Sequence, residues 1–95
     1  MDGGLLFRLI TPKKELCSIR CDSVILVEKD DAQGRGGSLG IRPGHLPAVV
    51  ALAESGPVRA VSGGKNIFAA LVRGGFARVN GASVTVLTPE AEIME

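Results

Sequence analysis

The stretch FARVNGASVTVL, residues 76–87, decides the fold class of this chain. Asn80-Gly81 is a strong signal for a tight turn between two antiparallel strands. After the turn, Val84 and Val86 alternate with Thr85. Because successive side chains of a strand point to opposite faces, this pattern predicts a hairpin with one buried side and one wet side.

Segments on the N-terminal side of this hairpin carry similar signals. Gly63-Gly64 lies between residues 58–62 and 66–72, and a two-residue glycine turn suits the twist of paired strands. Residues 5–10 form an apolar run that is closed by a proline, which favours a strand. Residues 46–53 also favour a strand, although periodicity does not separate a short strand from a helical turn at this length.

Residues 16–27 change pattern halfway along. Polar and apolar residues alternate up to Cys21, whereas residues 24–27 are all apolar. A bend or bulge near Cys21-Asp22 would explain this change of pattern. The polar residues 28–38 predict a solvated loop. Eight to ten short strands with these turn signals predict an all-β fold, a flattened sandwich or barrel that forms one domain over residues 1–95.

The composition fits such a module and excludes several function classes. The 95 residues include 13 glycines, 5 prolines and 3 aromatics, and 45% are hydrophobic, which is typical of short aliphatic strands joined by tight turns. A net charge of +1 creates no field that would steer nucleic acid. The longest apolar run falls short of the roughly 20 residues of a membrane-spanning helix, so we expect a soluble or peripheral protein without direct membrane insertion.

Catalytic, cofactor and metal sites are not predicted. The chain has one histidine and no tyrosine or tryptophan, and no base, orienting group and nucleophile occur in a recognisable pattern. Residues 34–40 are rich in glycine, but no Lys-Ser or Lys-Thr follows them as in a phosphate loop, so they form an exposed tip or a partner contact. Cys17 and Cys21 would lie about 13 Å apart on a strand, which predicts buried thiols rather than a disulfide. Only His45 could join them at a metal, too few ligands for structural zinc.

The segment GSLGIRPGHLP, residues 37–47, predicts a rigid turn. Gly40 and Gly44 permit backbone conformations that other residues avoid, and Pro43 fixes its own φ and biases Arg42 toward an extended conformation. His45 either hydrogen-bonds within this turn or contacts a partner.

Five segments in order resemble the N-terminal β-sandwich of the epsilon subunit of F-type ATP synthases. Its most specific part is Gly-Ile-x-Pro-Gly-His, present here at residues 40–45. The other four segments are residues 9–12, 22–27, 73–76 and 84–87.

This resemblance implies a non-catalytic central-stalk subunit of a rotary ATP synthase or ATPase, which couples ion transport to ATP synthesis or hydrolysis. It implies a peripheral position on the cytoplasmic face of the bacterial inner membrane, with the gamma subunit and the c-ring as partners. The positions that match the family's contacts are Gly36, Gly37 and Ser38 for the c-ring, and Arg42, His45 and Val50 for gamma. Arg42 could equally be a solvated charge.

Two departures from the family pattern qualify this expectation. Many members continue beyond the position of residue 95 into a helical pair that regulates hydrolysis, and a natural chain that ended here would lack that control. The loop 28–38 is longer than usual, and Ser38 stands where an acidic residue is often found. The long loop and the short chain both resemble the epsilon subunits of the alternative, often sodium-associated, bacterial rotary ATPases. A free-standing β-sandwich that binds a small ligand or peptide at its loops is the competing hypothesis.

Overall fold

A computed structural model describes residues 4–31, 33–34 and 36–94, which form ten strands in two five-stranded sheets. In chain order the strands are β1 (Leu5–Ile10), β2 (Glu15–Cys21), β3 (Ser23–Glu28), β4 (Gly37–Ile41), β5 (Ala48–Ala51), β6 (Gly56–Ser62), β7 (Lys65–Arg73), β8 (Phe76–Val79), β9 (Ser83–Leu87) and β10 (Glu90–Ile93). The predicted all-β sandwich and its number of strands are confirmed.

The two sheets differ in strand order but share one core. Sheet A has the order β2-β1-β9-β8-β5, and sheet B has the order β10-β7-β6-β3-β4. β1 and β9 run parallel, whereas the other hydrogen-bonded pairs are antiparallel. Between β2 and β3 the chain leaves sheet A for sheet B, and Asp22 fixes this change because its Oδ2 accepts from the Gly63 amide at 2.8 Å. The bend predicted near Cys21-Asp22 is therefore confirmed.

The core lies between the sheets and follows the period of two. In β1, Leu5, Phe7 and Leu9 are fully buried while the residues between them are half-buried. The rings of Phe7 in sheet A and Phe68 in sheet B lie 5.8 Å apart between centroids, so they join the sheets. Burial of this kind contributes roughly 25 cal/mol per Å² of apolar surface and is the main stabilising term of the fold.

Both predicted hairpins are present. Gly63 and Gly64 have φ of 59° and 77°, the left-handed pair that a two-residue turn between β6 and β7 requires. In the second hairpin, the Asn80 Oδ1 accepts from the amides of Ala82 and Ser83 at 2.8 Å each. In this three-residue loop, the Asn80 side chain thus takes the place of a backbone carbonyl as the acceptor for these two amides.

One edge of the sandwich is closed by backbone hydrogen bonds. The Lys29 amide donates to the Ala51 carbonyl at 2.9 Å, and the Ala53 amide donates to the Val27 carbonyl at 3.0 Å. These bonds tie the end of β3 in sheet B to β5 in sheet A. At the other edge, no backbone hydrogen bond between described residues joins β2 to β10, so the fold is a half-closed, flattened barrel.

The predicted loop 28–38 is too long at both ends. Glu28 is the last residue of β3, and Gly37 and Ser38 are the first residues of β4, where they pair with Glu28 and Val27. The hydrogen bonds between two strands join main-chain groups, so polar and small residues can also form them. They extend the strand pair when neighbouring residues fix the strand register. The connecting loop covers only residues 29–36.

The turn-shaping role predicted for Gly40 is wrong. Gly40 pairs with Ile25 inside β4, and it is not among the described glycines with positive φ. The turn therefore begins after β4 and covers residues 42–47.

Candidate functional site

The 42–47 turn leads from β4 in sheet B to β5 in sheet A. Gly44 has a φ of 87°, which other residues rarely adopt, as its predicted role in the turn requires. Its amide donates to the Gly81 carbonyl at 2.9 Å, and the His45 amide donates back to the Arg42 carbonyl at 3.2 Å. The turn is therefore fixed both internally and to the β8–β9 loop, with the exposed Pro43 at its tip.

His45 is half-buried, and its ring contacts its own turn. The Nδ1 atom lies 2.9 Å from the Leu46 carbonyl oxygen, a hydrogen bond that places the proton on Nδ1. The hydrogen-bonding role left open for His45 is thus present. Arg42 is exposed at the start of the turn. Contact of either residue with gamma stays a prediction.

The outer face of sheet A carries large exposed apolar side chains. Leu46, Val49, Phe76 and Leu87 are 80%, 68%, 55% and 40% exposed. Together with Ile10 and Arg78 they are called the sheet A surface below. Single exposed apolar residues are ordinary, but a continuous group on one face marks an interaction site.

The strand register makes Val49, Phe76, Leu87 and Ile10 neighbours across four strands, β5, β8, β9 and β1. Val49 pairs with Arg78, Phe76 pairs with Leu87, and Ile10 pairs with Leu87 on the other side. Paired residues in a sheet have Cβ atoms about 5 Å apart, so the side chains touch. The sheet A surface is therefore an apolar strip with the cation of Arg78 beside it.

The sequence analysis missed most of this surface and placed one residue wrongly. Val50 is only 7% exposed and faces the core, so its side chain is not available for the predicted gamma contact. The period of two turns Val49 outward instead. The predicted hairpin already places the aromatic Phe76 on its solvent-facing side, where a large apolar side chain calls for an explanation. This indication of a contact surface was not used in the prediction.

The second predicted contact group lies at the opposite end of β4. Gly37 begins this strand and Ile41 ends it, a separation of about 13 Å at 3.3 Å per residue. Gly36 is packed against the start of its own loop. Its amide donates to the Asp30 Oδ1 at 3.1 Å, and a Cβ there would lie 2.6 Å from the Asp30 nitrogen. Ser38 is exposed, whereas Arg35 in the same glycine-rich run lies outside the described residues.

The two cysteines are free thiols in the sheets. Cys21 is fully buried, as predicted, but Cys17 is only half-buried because β2 is an edge strand with open space beside it. Burial raises the pKa of both thiols, and for Cys17 the charges of Cys21 and Glu15 raise the pKa further. Both cysteines are therefore poor nucleophiles at neutral pH.

Residues 4–31, 33–34 and 36–94 contain no group of three or more His, Cys, Asp or Glu side chains that could hold a metal ion. The same part of the chain contains no helix with the length and apolarity needed to cross a membrane. Within these residues, the start of β4 and the 42–47 turn, which carry the two predicted contact groups, lie at opposite ends of that strand.

Comparison with known proteins agrees with this description. The family model for the β-sandwich domain of the ATP synthase delta/epsilon chain matches residues 5–94. The ATP synthase epsilon chain of Frankia casuarinae is 35% identical over 85 residues, which are 90% of this chain and 92% of that one. The epsilon chain of Desulforamulus reducens is 39% identical over 84 residues, but the match covers only 58% of its length.

A solved structure shows the same fold. A chain of the Euglena gracilis mitochondrial ATP synthase, in a structure of OSCP, F1 and c-ring, superimposes with a TM-score of 0.75 at 22% identity, over 96% of this chain and 54% of that chain. The family match spans nearly every residue described above, and it includes the 42–47 turn and the sheet A surface. This chain belongs to the family of ATP synthase delta/epsilon chains, whose β-sandwich domain it forms.

Proposed function

We propose that the chain is a non-catalytic rotor subunit in the central stalk of a rotary ATP synthase or ATPase, where it links gamma to the c-ring. The match of residues 5–94 to the delta/epsilon family carries this proposal. The relatives from Frankia casuarinae and Desulforamulus reducens are both named as ATP synthase epsilon chains. Family membership favours this function over a free-standing module for ligands or peptides.

The sheet A surface is the proposed contact with gamma. Phe76 and Leu87 form the centre of an apolar strip that water covers in the isolated chain. Aromatic anchors in such strips dominate the free energy of many protein interfaces, where they are enclosed by a polar rim. Arg78 and the 42–47 turn with Arg42 and His45 would supply that rim.

The proposed c-ring contact is the 29–36 loop with the first residues of β4. Gly36, Gly37 and Ser38 lie there, beside the exposed carboxylate of Asp30. β4 joins this end to the 42–47 turn through a hydrogen-bonded ladder with β3, which a load cannot stretch without breaking several bonds together. A rigid strand between two contacts suits a subunit that transmits torque.

The complex is membrane-associated, and we place this subunit at its cytoplasmic face in a bacterial inner membrane. The related sodium-associated type stays a prediction for this chain. Stimulation of ATP hydrolysis by sodium in the purified complex would support it, whereas equal rates with sodium and potassium would count against it.

The function is tested by affinity purification of the tagged chain from mildly solubilised native membranes, followed by mass spectrometry. Recovery of gamma, alpha, beta and c is expected. Phe76→Asp should lose these partners, because it puts a carboxylate in the centre of the apolar strip. Ser18→Asp, which adds the same charge at an exposed position of β2, is the matched control and should retain them.

Two negative results have different meanings. Recovery of none of the four subunits with the unsubstituted chain would contradict the function itself. Full recovery with Phe76→Asp would leave the function standing but remove the sheet A surface as the gamma contact.

A further inference from the structure

The outer face of sheet B is apolar at its centre, while polar residues such as Ser38 and Glu92 lie on its edge strands. Five apolar residues and one arginine form its centre and are called the sheet B surface below. They are Ile25, Val27, Pro57, Arg59, Ala69 and Leu71, all half-buried. An antiparallel sheet that faces water normally alternates apolar and polar residues, whereas continuous apolar strands indicate cover on both faces. The continuous run 24–27 in β3 therefore predicts that something covers sheet B.

Arg59 lies at the middle of this surface. It pairs with Ile25 on one side and with Ala69 on the other, so apolar residues flank its side chain across the sheet. Its Nε atom is buried and has no hydrogen-bond partner. Two other strand arginines have carboxylate partners, since Arg8 Nε lies 2.6 Å from Glu15 Oε1 and Arg73 Nε lies 3.6 Å from Glu90 Oε2.

An enclosed nitrogen without an acceptor costs free energy, and the cost is larger for a charged group. Because Arg59 as a whole is only half-buried, part of its side chain stays open to an acceptor from outside the chain. The planar guanidinium matches the two oxygens of a carboxylate, which makes an Asp or Glu side chain the suitable acceptor.

A groove beside Arg59 indicates what kind of partner could bind to this surface. Its volume is about 540 Å³, and Pro57, Ile67, Ala69 and Met94 supply much of its lining. Ile67 and Met94 are 46% and 47% exposed, so the groove is open to a large ligand. Its apolar walls favour polypeptide side chains over a small anion such as phosphate.

We infer that the sheet B surface docks a protein segment that lays apolar side chains along this groove and places one carboxylate against Arg59. The segment belongs to a partner other than gamma, because the core separates this face from the sheet A surface. A second copy of this chain fits less well, since its own exposed apolar face carries the cation of Arg78. The proposal thus adds a second protein contact, and it rests on the proposed function for the assignment of gamma to the sheet A surface.

A photo-crosslinking experiment in the assembled complex tests this contact. The tagged chain carries p-benzoylphenylalanine in place of Ile67, is expressed in its own cells, irradiated and purified. We expect an adduct with one other protein, whose crosslinked peptide holds an Asp or Glu among apolar residues. The same label in place of Phe76 reports the sheet A surface separately.

Charge reversal then tests the role of Arg59. Arg59→Glu should lower the yield of the Ile67 adduct about tenfold or more, since like charges at an interface repel strongly. Arg20→Glu makes the same charge change at an exposed position of β2 and should leave the yield unchanged. If Arg59→Glu does not fold, Arg59→Gln serves instead and should lower the yield in the same direction.

The proposal has definite ways to fail. It is overturned by an adduct with a second copy of this chain or with lipid, by a crosslinked peptide without an acidic residue, or by equal yields with Arg59→Glu and Arg20→Glu. It is also overturned if the Ile67 label forms no adduct while the Phe76 label does. In that last case the proposed rotor function survives. Restoration of the Arg59→Glu adduct by a Lys in place of the partner's carboxylate would identify the ion pair directly.

Discussion

Replacement of Gly75 by alanine should severely destabilise the sandwich. Gly74-Gly75 connects β7 in sheet B to β8 in sheet A, directly before the exposed Phe76. Gly75 has a φ of 99°, and a Cβ there would lie 2.1 Å from the Leu87 carbonyl oxygen and 2.8 Å from the Thr88 Cα. The obstacle is backbone, which cannot turn away as a flexible side chain can.

The cost has two parts. A non-glycine residue held at a sparsely populated φ costs on the order of 1–3 kcal/mol. Relief of the overlap with Leu87 adds about 1–3 kcal/mol, the usual range for overpacking. The backbone cannot retreat freely, because the Gly75 carbonyl accepts from the Leu52 amide at 3.0 Å. The sum, roughly 2–6 kcal/mol, is a large part of the 5–15 kcal/mol typical of a whole domain.

Gly74→Ala is the matched control. Gly74 has a φ of 72°, but nothing lies within 4 Å of a Cβ built there, so only the conformational cost of about 1–2 kcal/mol remains. Thermal denaturation followed by circular dichroism measures both variants. At about 4–8 °C per kcal/mol, Gly75→Ala should lower Tm by about 8 °C or more. Equal losses of Tm for the two variants would refute the argument from the Leu87 overlap.

Three further predictions concern other parts of the fold. Gly44→Val should lower the free energy of unfolding by about 1–3 kcal/mol through its φ of 87° alone, and an unchanged Tm would contradict this. Thr88→Val should cost about 1 kcal/mol, because the buried Thr88 Oγ1 lies 3.0 Å from the Glu90 carbonyl; Thr88→Ser should restore most of it in urea denaturation. Because burial raises the pKa of Cys17 and Cys21 in the folded chain, the unfolded thiols ionise first, so stability should fall as pH rises through the ordinary thiol pKa of about 8.5. The double Cys→Ala variant should show a smaller fall in its urea midpoint, and equal falls would contradict the assignment.

The parts of the fold that the sequence predicts well are those with local causes. Both hairpins are encoded within about a dozen residues, since the Gly63-Gly64 and Asn80-Gly81 turns and the flanking alternation indicate the same structure. The division of sheet A into an inner and an outer face follows from this alternation alone. The sheet order does not, because the parallel pairing of β1 with β9 joins residues more than seventy positions apart.

The errors arise where main-chain pairing overrides side-chain character. Polar Ser38 was expected in a loop, but it lies opposite Val27 in the ladder and has its side chain in solvent. Gly40 was expected to shape a turn, yet a glycine in the middle of a strand needs no unusual φ. Val50 was assigned to the surface because the phase of β5 was not fixed by its sequence, whose four residues are all apolar. The sequence of a strand identifies its buried face only if polar residues occupy the opposite, solvent-facing positions.

The same reasoning explains why the two outer faces of this sandwich carry different information. In sheet A, Arg78 and Thr85 mark the outward side, so the exposure of Phe76 among them is the anomaly that indicates a partner. In sheet B the centre of the outward side is apolar, and the anomaly there is the cation of Arg59, whose Nε has no acceptor. A chain that contacted only gamma and the c-ring would gain solubility from polar residues at this centre at little cost to its core. Apolar residues around an arginine nitrogen without an acceptor are therefore the arrangement expected of a subunit that docks a further protein on sheet B.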